Sequence, residues 1–581
     1  MLAVDKMCDI IEESDIEYVF GIQGGITYRL FNALGRRGKV KLVIARHEQS
    51  AALMAAAYGR LTGKPAILMG QGPFIASSGA FGILEAYMCG YPMIVIADAV
   101  TNSFGQKGMI QSGTGEYGSY DLQGVLKTMT KHVGLATTPK QAIHGLQDAI
   151  KHTTAGRKGP TGLVIYQPEV YEEFDEEEAP LVYSTNSYIS EPDSIPSKAR
   201  LDQVADYILQ AENPVIIAGN GVHMSQAYEE LKAFSEQIGA PVATTYKGKS
   251  VIEENHKLAV GMMGDYGQLT ANTAIGKADL ILVLGSKLGA SDTSSENLGL
   301  INPKMQKIIQ FDIDEHRAGW TYPVSSTVIG DLKLTLPELM KSLAPKILAD
   351  EISTRMKKVS TFKDSIGYFS SEDALHESSP VYPQRIIGLL NEMLPEDVFL
   401  TMDAGSNRAW TTHLYQCKSA GSILVPGGIA GMGSGIPFAV AAKMVYPDRQ
   451  VVSIIGDGGM GMTNNVISTS VQYNLPIIVI VMNDSRLGMP AARQGDDRIS
   501  TDFIDTDFAK IAEGYGANGV RVENSQDLKE AIKAGLESNI TTVIDVRIDV
   551  NQKYTIIQPI TEEMQKYKKG EVNPYTENAF F

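Results

Sequence analysis

Short apolar runs rich in Val, Ile and Leu recur along the chain, separated by longer stretches with helical spacing of apolar residues. The runs bounded by turn residues read as strands and the stretches between them as amphipathic helices. In the first part the predicted strands are Glu17 to Gly21, Lys41 to Ala45, Ala66 to Met69, Met93 to Ala97 and Gly162 to Tyr166. A second set falls at Val215 to Ala218, Val242 to Thr245, Leu280 to Leu284 and Lys307 to Asp312. A third falls at Val398 to Met402, Val451 to Ile455, Ile477 to Met482 and Thr542 to Ile548. Strands that alternate with helices build parallel sheets covered on both faces. Two polar stretches interrupt the series: 168–197, with an acidic run over 172–178 that reads as a linker, and Asp350 to Pro380. The expected fold class is therefore α/β, with three consecutive doubly wound parallel-sheet domains over 1–180, 195–345 and 380–550. A tail over 551–581 lacks clear periodicity and is expected to close over a site or lie on a neighbour.

A chain of 581 residues is too long for one core, which agrees with three units. Its 44% hydrophobic and 20% charged residues are those of a packed soluble protein. The formal charge of −16, without any long Lys/Arg cluster, excludes a phosphate-tracking nucleic-acid binder. No segment has the length of a membrane span, and the first residues lack a secretory pattern. Cys8, Cys89 and Cys417 are far apart and odd in number, which fits neither a disulfide framework nor a metal knuckle and points to a reducing cytoplasm.

The candidate chemistry is concentrated after the strand Val451 to Ile455, where Gly456-Asp457-Gly458-Gly459 precedes a helical pattern from Thr463 to Tyr473. The next strand delivers Asn483 and Asp484. In a parallel βαβ unit both strands end on the same sheet edge, so Asp457 and Asp484 are expected to converge. Gly456, Gly458 and Gly459 allow a tight turn and a close approach of phosphate, and the free N–H groups of the following helix favour an anion. Two carboxylates beside an anion site call for a hard cation, Mg²⁺, bridging them to cofactor phosphates.

This segment resembles the diphosphate-binding signature of thiamine diphosphate-dependent enzymes of the acetolactate synthase-like type, GDG followed by NN. The resemblance implies a thiamine pyrimidine-binding first domain, a Rossmann-like central domain and a thiamine diphosphate-binding third domain. It places the metal ligands at Asp457, Asp484 and the main-chain oxygen of Arg486, with Asn483-Asp484 departing from the usual Asn-Asn. The added carboxylate is expected to make the metal site more anionic than the family pattern. The stretch RHEQSAALMAAAYGRLTGKPAI resembles the pyrimidine-domain motif, implying that Glu48 hydrogen-bonds the aminopyrimidine ring and promotes the tautomer that generates the ylid. The glycine-rich loop Gly427 to Pro437 resembles the one that bends the cofactor, with Met432 as the wedge and the main chain at Ala430 and Met432 holding the ring. Gly405, Ser406 and Asn407, and the segment Leu487-Gly488-Met489, are further cofactor-binding candidates.

The resemblance also implies a site shared by two chains, so a homodimer at minimum, with many relatives forming a homotetramer. Gln23, Gly25, Gln71 and Phe74 lie in loops near the expected reaction centre, and Arg493 stands where acetolactate-forming relatives carry Trp. Tyr117-Gly118 occupies the position of their Phe-Gln pair. These departures argue against strict acetolactate synthase activity. In several relatives the central domain carries FAD. Here Gly219-Asn220-Gly221 and Lys287 favour a nucleotide-free unit. The expected function is a thiamine diphosphate- and Mg²⁺-dependent lyase or transferase. It would decarboxylate a 2-oxo acid, or cleave or form an acyloin-type bond, through an enamine intermediate. The alternatives are an oxalyl-CoA decarboxylase or 2-hydroxyacyl-CoA lyase, which Gly115-Glu116-Tyr117 resembles, and a non-catalytic cofactor-binding homologue.

Overall fold

The computed structural model describes residues 2–25, 27–100, 110–116, 118–167, 170, 173–183, 194–552 and 560–568. Eighteen described strands form three sheets. The first contains β1 (Tyr18–Ile22), β2 (Lys41–Ile44), β3 (Ala66–Gln71), β4 (Met93–Val100), β5 (Val133–Ala136) and β6 (Pro160–Gln167), in the order β2-β1-β3-β4-β6-β5. The second contains β7 (Pro214–Ala218), β8 (Val242–Thr244), β9 (Ala259–Met262), β10 (Leu280–Leu284), β11 (Lys307–Asp312) and β12 (Ser326–Ile329), in the order β12-β11-β10-β7-β8-β9. The third contains β13 (Phe399–Met402), β14 (Ile423–Leu424), β15 (Val451–Gly456), β16 (Ile478–Asn483), β17 (Asn518–Val522) and β18 (Thr542–Arg547), in the order β14-β13-β15-β16-β18-β17. Every ladder within these sheets is parallel. The three doubly wound units expected from the alternation are thus observed.

Central strands are buried on both faces, which explains their unbroken apolar runs: all five residues of β10 and all six of β16 are buried. One apolar core spans the first and third units, where the helix Glu48–Thr62 packs on the helix Gly435–Val445. Both helices are buried nearly all round and are rich in alanine, with Ala52, Ala55 and Ala56 in one and Ala439 and Ala442 in the other, and such small side chains allow close packing.

The polar stretch expected to separate the second and third units is largely an 18-residue helix, Ala349–Ile366. It is anchored by Arg355, whose guanidinium donates to the carbonyl oxygens of Ile208, Ala211 and Ile238. Only Arg355 and Val359 of this helix are buried, too few to leave an apolar period in the sequence. Within the tail, the helix Glu562–Lys568 docks on the central unit: Met564 is buried in its core, and its carbonyl accepts a hydrogen bond from Asn297 Nδ2 at 3.0 Å. All three cysteines are free and buried, and no described helix is long and apolar enough to cross a membrane.

Candidate active site

β15 and β16 are neighbours in register, Gly456 opposite Met482, so the residues just beyond them leave the same edge of the third sheet. There a cleft of about 50 Å³ opens. Every candidate in the segments 405–407, 456–459 and 484–488 lines it, together with Met432; Ala430 and Met489 do not. The convergence of Asp457 and Asp484 expected from topology is therefore present.

The glycines act differently from a turn. Asp457–Thr463 is already helical, followed by a second short helix, Val466–Gln472, where one pattern from Thr463 to Tyr473 was expected. Gly456 caps this segment in an extended conformation, and neither Gly458 nor Gly459 has a positive φ. What they provide is clearance: a Cβ on Gly458 would lie 3.1 Å from Leu487 Cδ2, and one on Gly459 would lie 3.0 Å from Asp403 Oδ2. The left-handed turn is instead made by Gly405, at φ +111°, which opens the helix Ser406–Leu414.

Asp457 is buried and bound from two sides: Oδ1 accepts from Gly458 N at 2.8 Å and Oδ2 from Arg486 N at 2.9 Å. Burial, then the neighbouring Asp484 carboxylate, push its pKa up to about 7. Asp484 is also raised, burial outweighing the pull of Arg486. That guanidinium is the main correction to the expected over-anionic site. Arg486 Nε lies 2.7 Å from Asp484 Oδ2, and its Nη2 donates to the Val550 carbonyl at 2.6 Å, so the added carboxylate arrives with its own counter-charge two residues away. Asn483, the other half of the pair, faces inward. It donates to Asp545 Oδ1 at 2.8 Å and accepts from Arg547 at 2.8 Å, fixing the loop rather than entering the cleft.

A residue that the sequence reading passed over holds two of these loops together. Asp403 is fully buried at the end of β13 and accepts from Ala404 N, Gly433 N and Gly435 N at 2.6 to 3.1 Å. It thus joins the segment leading to 405–407 with the loop of Met432. Burial raises its pKa to about 6 against those N–H donors. Asp98 does the same at the first sheet's edge, accepting from Thr27 N at 3.3 Å and Gly72 N at 3.1 Å.

That first edge carries the other candidates. Glu48 opens the helix Glu48–Thr62 and is half-buried, while exposed His47 caps it, Nδ1 accepting from Gln49 N at 3.2 Å. Gly25 has φ +59°, and a Cβ there would lie 2.2 Å from Asp98 Oδ2. Gln71 is hydrogen-bonded to Gln111, and Gln23 and Phe74 are exposed. Within one chain none of Glu48, Gln23, Gly25, Gln71 and Phe74 lines the cleft at Asp457. Arg493, exposed near the end of the helix Gly488–Gln494, does not line it either. Tyr117 lies outside the described residues.

A larger crevice, about 160 Å³, opens between the first and central units. Arg157, Lys247, Lys287 and Arg317 line it beside Asp292 and Asp312. Burial first, then the neighbouring cations, lower the pKa of Arg157 and Lys287. These cations come from four separate segments, so no basic motif announces them.

Comparison with known proteins agrees with this arrangement. Residues 1–117 match the model of the thiamine pyrophosphate enzyme N-terminal TPP binding domain, 201–339 the central domain, and 403–546 the C-terminal TPP binding domain. A relative from Methanococcus aeolicus described as a probable acetolactate synthase large subunit is 28% identical, covering 96% of this chain and 94% of its own. The acetolactate synthase large subunits of Buchnera aphidicola subsp. Schizaphis graminum and of Haemophilus influenzae are 29% and 26% identical. They cover 92% and 93% of this chain, and 92% and 93% of their own. All three units of the fold are matched in order and along nearly the whole length, and the chain belongs to the thiamine pyrophosphate enzyme family.

Proposed function

We propose that this protein is a thiamine diphosphate- and Mg²⁺-dependent enzyme that decarboxylates a 2-oxo acid and can pass the remaining acyl carbanion equivalent to an aldehyde or ketone acceptor. The observation that carries the reading is the pairing of buried Asp457 with Asp484 in a glycine-lined cleft below Met432. The donor set fits a hard cation. Two carboxylates whose pKa values are raised by burial gain from a divalent ion, and Oδ1 of Asn407, buried nearby, accepts no hydrogen bond from the described residues. Among the described residues no cluster of three or more His, Cys, Asp or Glu could hold a metal, so the remaining ligands would be main-chain, phosphate and water oxygens. That pattern suits Mg²⁺.

When bound, thiamine diphosphate would supply a nucleophilic carbon and an electron sink for decarboxylation. The chain's own residues do the rest. Asp457, Asp484 and the Arg486 main-chain oxygen hold the metal, and Gly456, Gly458 and Gly459 leave room for the diphosphate beside 405–407 and 487–489. Met432 would support the cofactor from within the cleft, and the main chain at Ala430 and Met432 would hold its ring. Glu48 shares a proton with the pyrimidine ring nitrogen, a role that needs a carboxyl rather than an amide. Gln23, Gly25, Gln71, Phe74 and Arg493 face the substrate.

In this reading Glu48, which does not line the cleft of its own chain, is supplied by a second copy, and the working unit is a homodimer at minimum. Exposed Phe74, Met462, Phe503 and Ile504 supply apolar surface for that pairing. Three free cysteines suit a reducing cytoplasm. The test is incubation with Mg²⁺, thiamine diphosphate and a panel of 2-oxo acids and acyl-CoA thioesters, with CO₂ and products measured. Cofactor-dependent CO₂ release from a free 2-oxo acid is expected. Turnover confined to oxalyl-CoA or a 2-hydroxyacyl-CoA would replace this reading with that of an acyl-CoA lyase.

A further inference from the structure

The loop from Gly427 to Gly435 carries Met432 and Ala430 and belongs to no sheet ladder, so its shape has to be imposed from outside. On one side of Met432 the buried Asp403 takes the N–H groups of Gly433 and Gly435. On the other side the clasp comes from a different unit. Glu85, midway along the helix Ala80–Cys89 of the first unit, is fully buried at 0% exposed. Its carboxylate accepts four consecutive main-chain N–H groups: Oε1 from Gly427 at 2.7 Å and Gly428 at 2.8 Å, Oε2 from Ile429 at 2.9 Å and Ala430 at 3.2 Å.

Oε1 also accepts from the Cys89 thiol at 3.4 Å, so all of the roughly four lone-pair directions of the two oxygens are drawn on, and every one of the main-chain donors needs a carboxylate acceptor. The same helix presses on the loop where it has no side chains. A Cβ on Gly428 would lie 2.8 Å from the Glu85 carbonyl oxygen, and one on Gly431 would lie 2.3 Å from the Phe81 ring. Ala430 holds φ +53°, a left-handed conformation disfavoured for a residue with a Cβ. Such strain persists only where the surroundings over-determine it. The last of Glu85's four main-chain bonds ends on this residue.

We propose that Glu85 is a positioning residue for the cofactor's aminopyrimidine: it locks Gly427–Ala430 in the single conformation presented to that ring and thereby fixes where Met432 stands. This rests on reading the loop as the one that holds the ring. The clasp also registers the loop to the helix Glu48–Thr62 of the same chain. Gly82 of the Glu85 helix packs so closely on that helix that a Cβ there would lie 2.5 Å from the Ala52 backbone. Glu85→Gln keeps shape and volume but leaves one acceptor oxygen and turns an NH₂ group toward two N–H donors. Glu85→Met removes the acceptors altogether.

The first measurement needs no cofactor. Hydrogen exchange of the full-length wild-type apoprotein should show the amides of 427–430 protected despite lying in a loop, and Glu85→Gln should speed them by roughly tenfold to a hundredfold, consistent with loss of charge-assisted bonds. Amides of β15 should be unchanged. Fast exchange of the four amides in the wild type overturns the proposal whatever the variants do. The second measurement is calorimetric titration with thiamine diphosphate at saturating Mg²⁺, followed by near-ultraviolet circular dichroism of the bound cofactor. Both variants should bind about tenfold to a hundredfold more weakly, with an altered aminopyrimidine signal. They should also show a raised KM for the cofactor and little change in KM for the 2-oxo acid. Wild-type affinity and signal in Glu85→Gln would overturn this proposal alone. Absence of binding by the wild type would overturn the reading of the site and this proposal with it.

Discussion

Replacing Arg486 by Met tests the electrostatic balance of the proposed metal site most directly. In the structure the Arg486 guanidinium sits 2.7 Å from Asp484 Oδ2, with the two side chains only 16% and 12% exposed, so solvent does little to screen the pair. Charge centres about 4 Å apart attract by roughly 4 kcal/mol at an effective dielectric of 20, and desolvation cancels much of it. The net value of such a charge-assisted bond is about 1.5–3 kcal/mol. A cation that draws on Asp484 must compete with Arg486 for the same oxygen. Without the arginine that competition disappears, and Asp457 and Asp484 face each other with only Arg547 left to offset Asp484. Mg²⁺ alone should then bind Arg486→Met about tenfold to a hundredfold more tightly, at roughly 1.4 kcal/mol per factor of ten. Thiamine diphosphate should bind more weakly, because one positive charge beside its phosphates is lost. Calorimetric titration with Mg²⁺ in the absence of cofactor, then with cofactor at saturating Mg²⁺, reads both terms. If Mg²⁺ binds the variant no more tightly than wild type, the guanidinium does not compete at the metal site and the argument fails.

Further predictions concern the parts of the site contributed by other segments. Glu48→Gln should bind thiamine diphosphate nearly as well as wild type but slow hydrogen–deuterium exchange at the thiazolium carbon by about 10²–10⁴-fold, and exchange at the wild-type rate would remove Glu48 from the mechanism. Activity should fall on dilution in parallel with dissociation seen by sedimentation, and added thiamine diphosphate should oppose both; a fully active monomer contradicts the shared site. Arg493→Trp should alter the product ratio from pyruvate with and without an aldehyde acceptor while leaving cofactor affinity within about threefold, below the 1 kcal/mol that marks a lost contact. An unchanged ratio would return exposed Arg493 to the surface.

The three-unit fold was legible because parallel sheets covered on both faces leave long apolar runs, and the strands that the sequence missed show the limit of that signal. They are β5, β9, β12, β14 and β17, and every one lies at the edge of its sheet. An edge strand bonds on one side only and can be short or partly exposed. β14 is two residues long, and β17, Asn-Gly-Val-Arg-Val, buries only its last residue fully. Among the edges only β2 was anticipated, helped by its place before the RHEQ segment. The helix Ala349–Ile366 escaped for a related reason, since it is held by a buried arginine bonded to three carbonyl groups rather than by an apolar face.

The site divides along a similar line. Residues expected to touch the cofactor fall in contiguous motifs, because a phosphate and a metal need several groups from one turn, and the 405–407, 456–459 and 484–488 segments do meet in one cleft. The groups that hold those motifs in place carry no such signature. Asp98, Asp403 and Glu85 are single acidic residues in apolar surroundings, and each acts on main-chain N–H groups that any residue could supply. From sequence, Glu85 is one polar position in an otherwise apolar helix. Its four main-chain partners lie more than three hundred residues away and contribute only backbone, and its one nearby partner is the Cys89 thiol on the same helix. A carboxylate buried to 0% exposure is nonetheless too costly to persist without compensation, and four N–H donors on two oxygens are that compensation. Arg486 belongs to the same class: its main-chain oxygen was expected as a ligand, whereas its side chain is what makes an aspartate tolerable at position 484. A substitution from Asn to Asp in this signature is therefore best judged together with the residue two positions later. An Asp484-bearing chain lacking that arginine would face a stronger repulsion than this one, in which Asp484 already raises the pKa of Asp457.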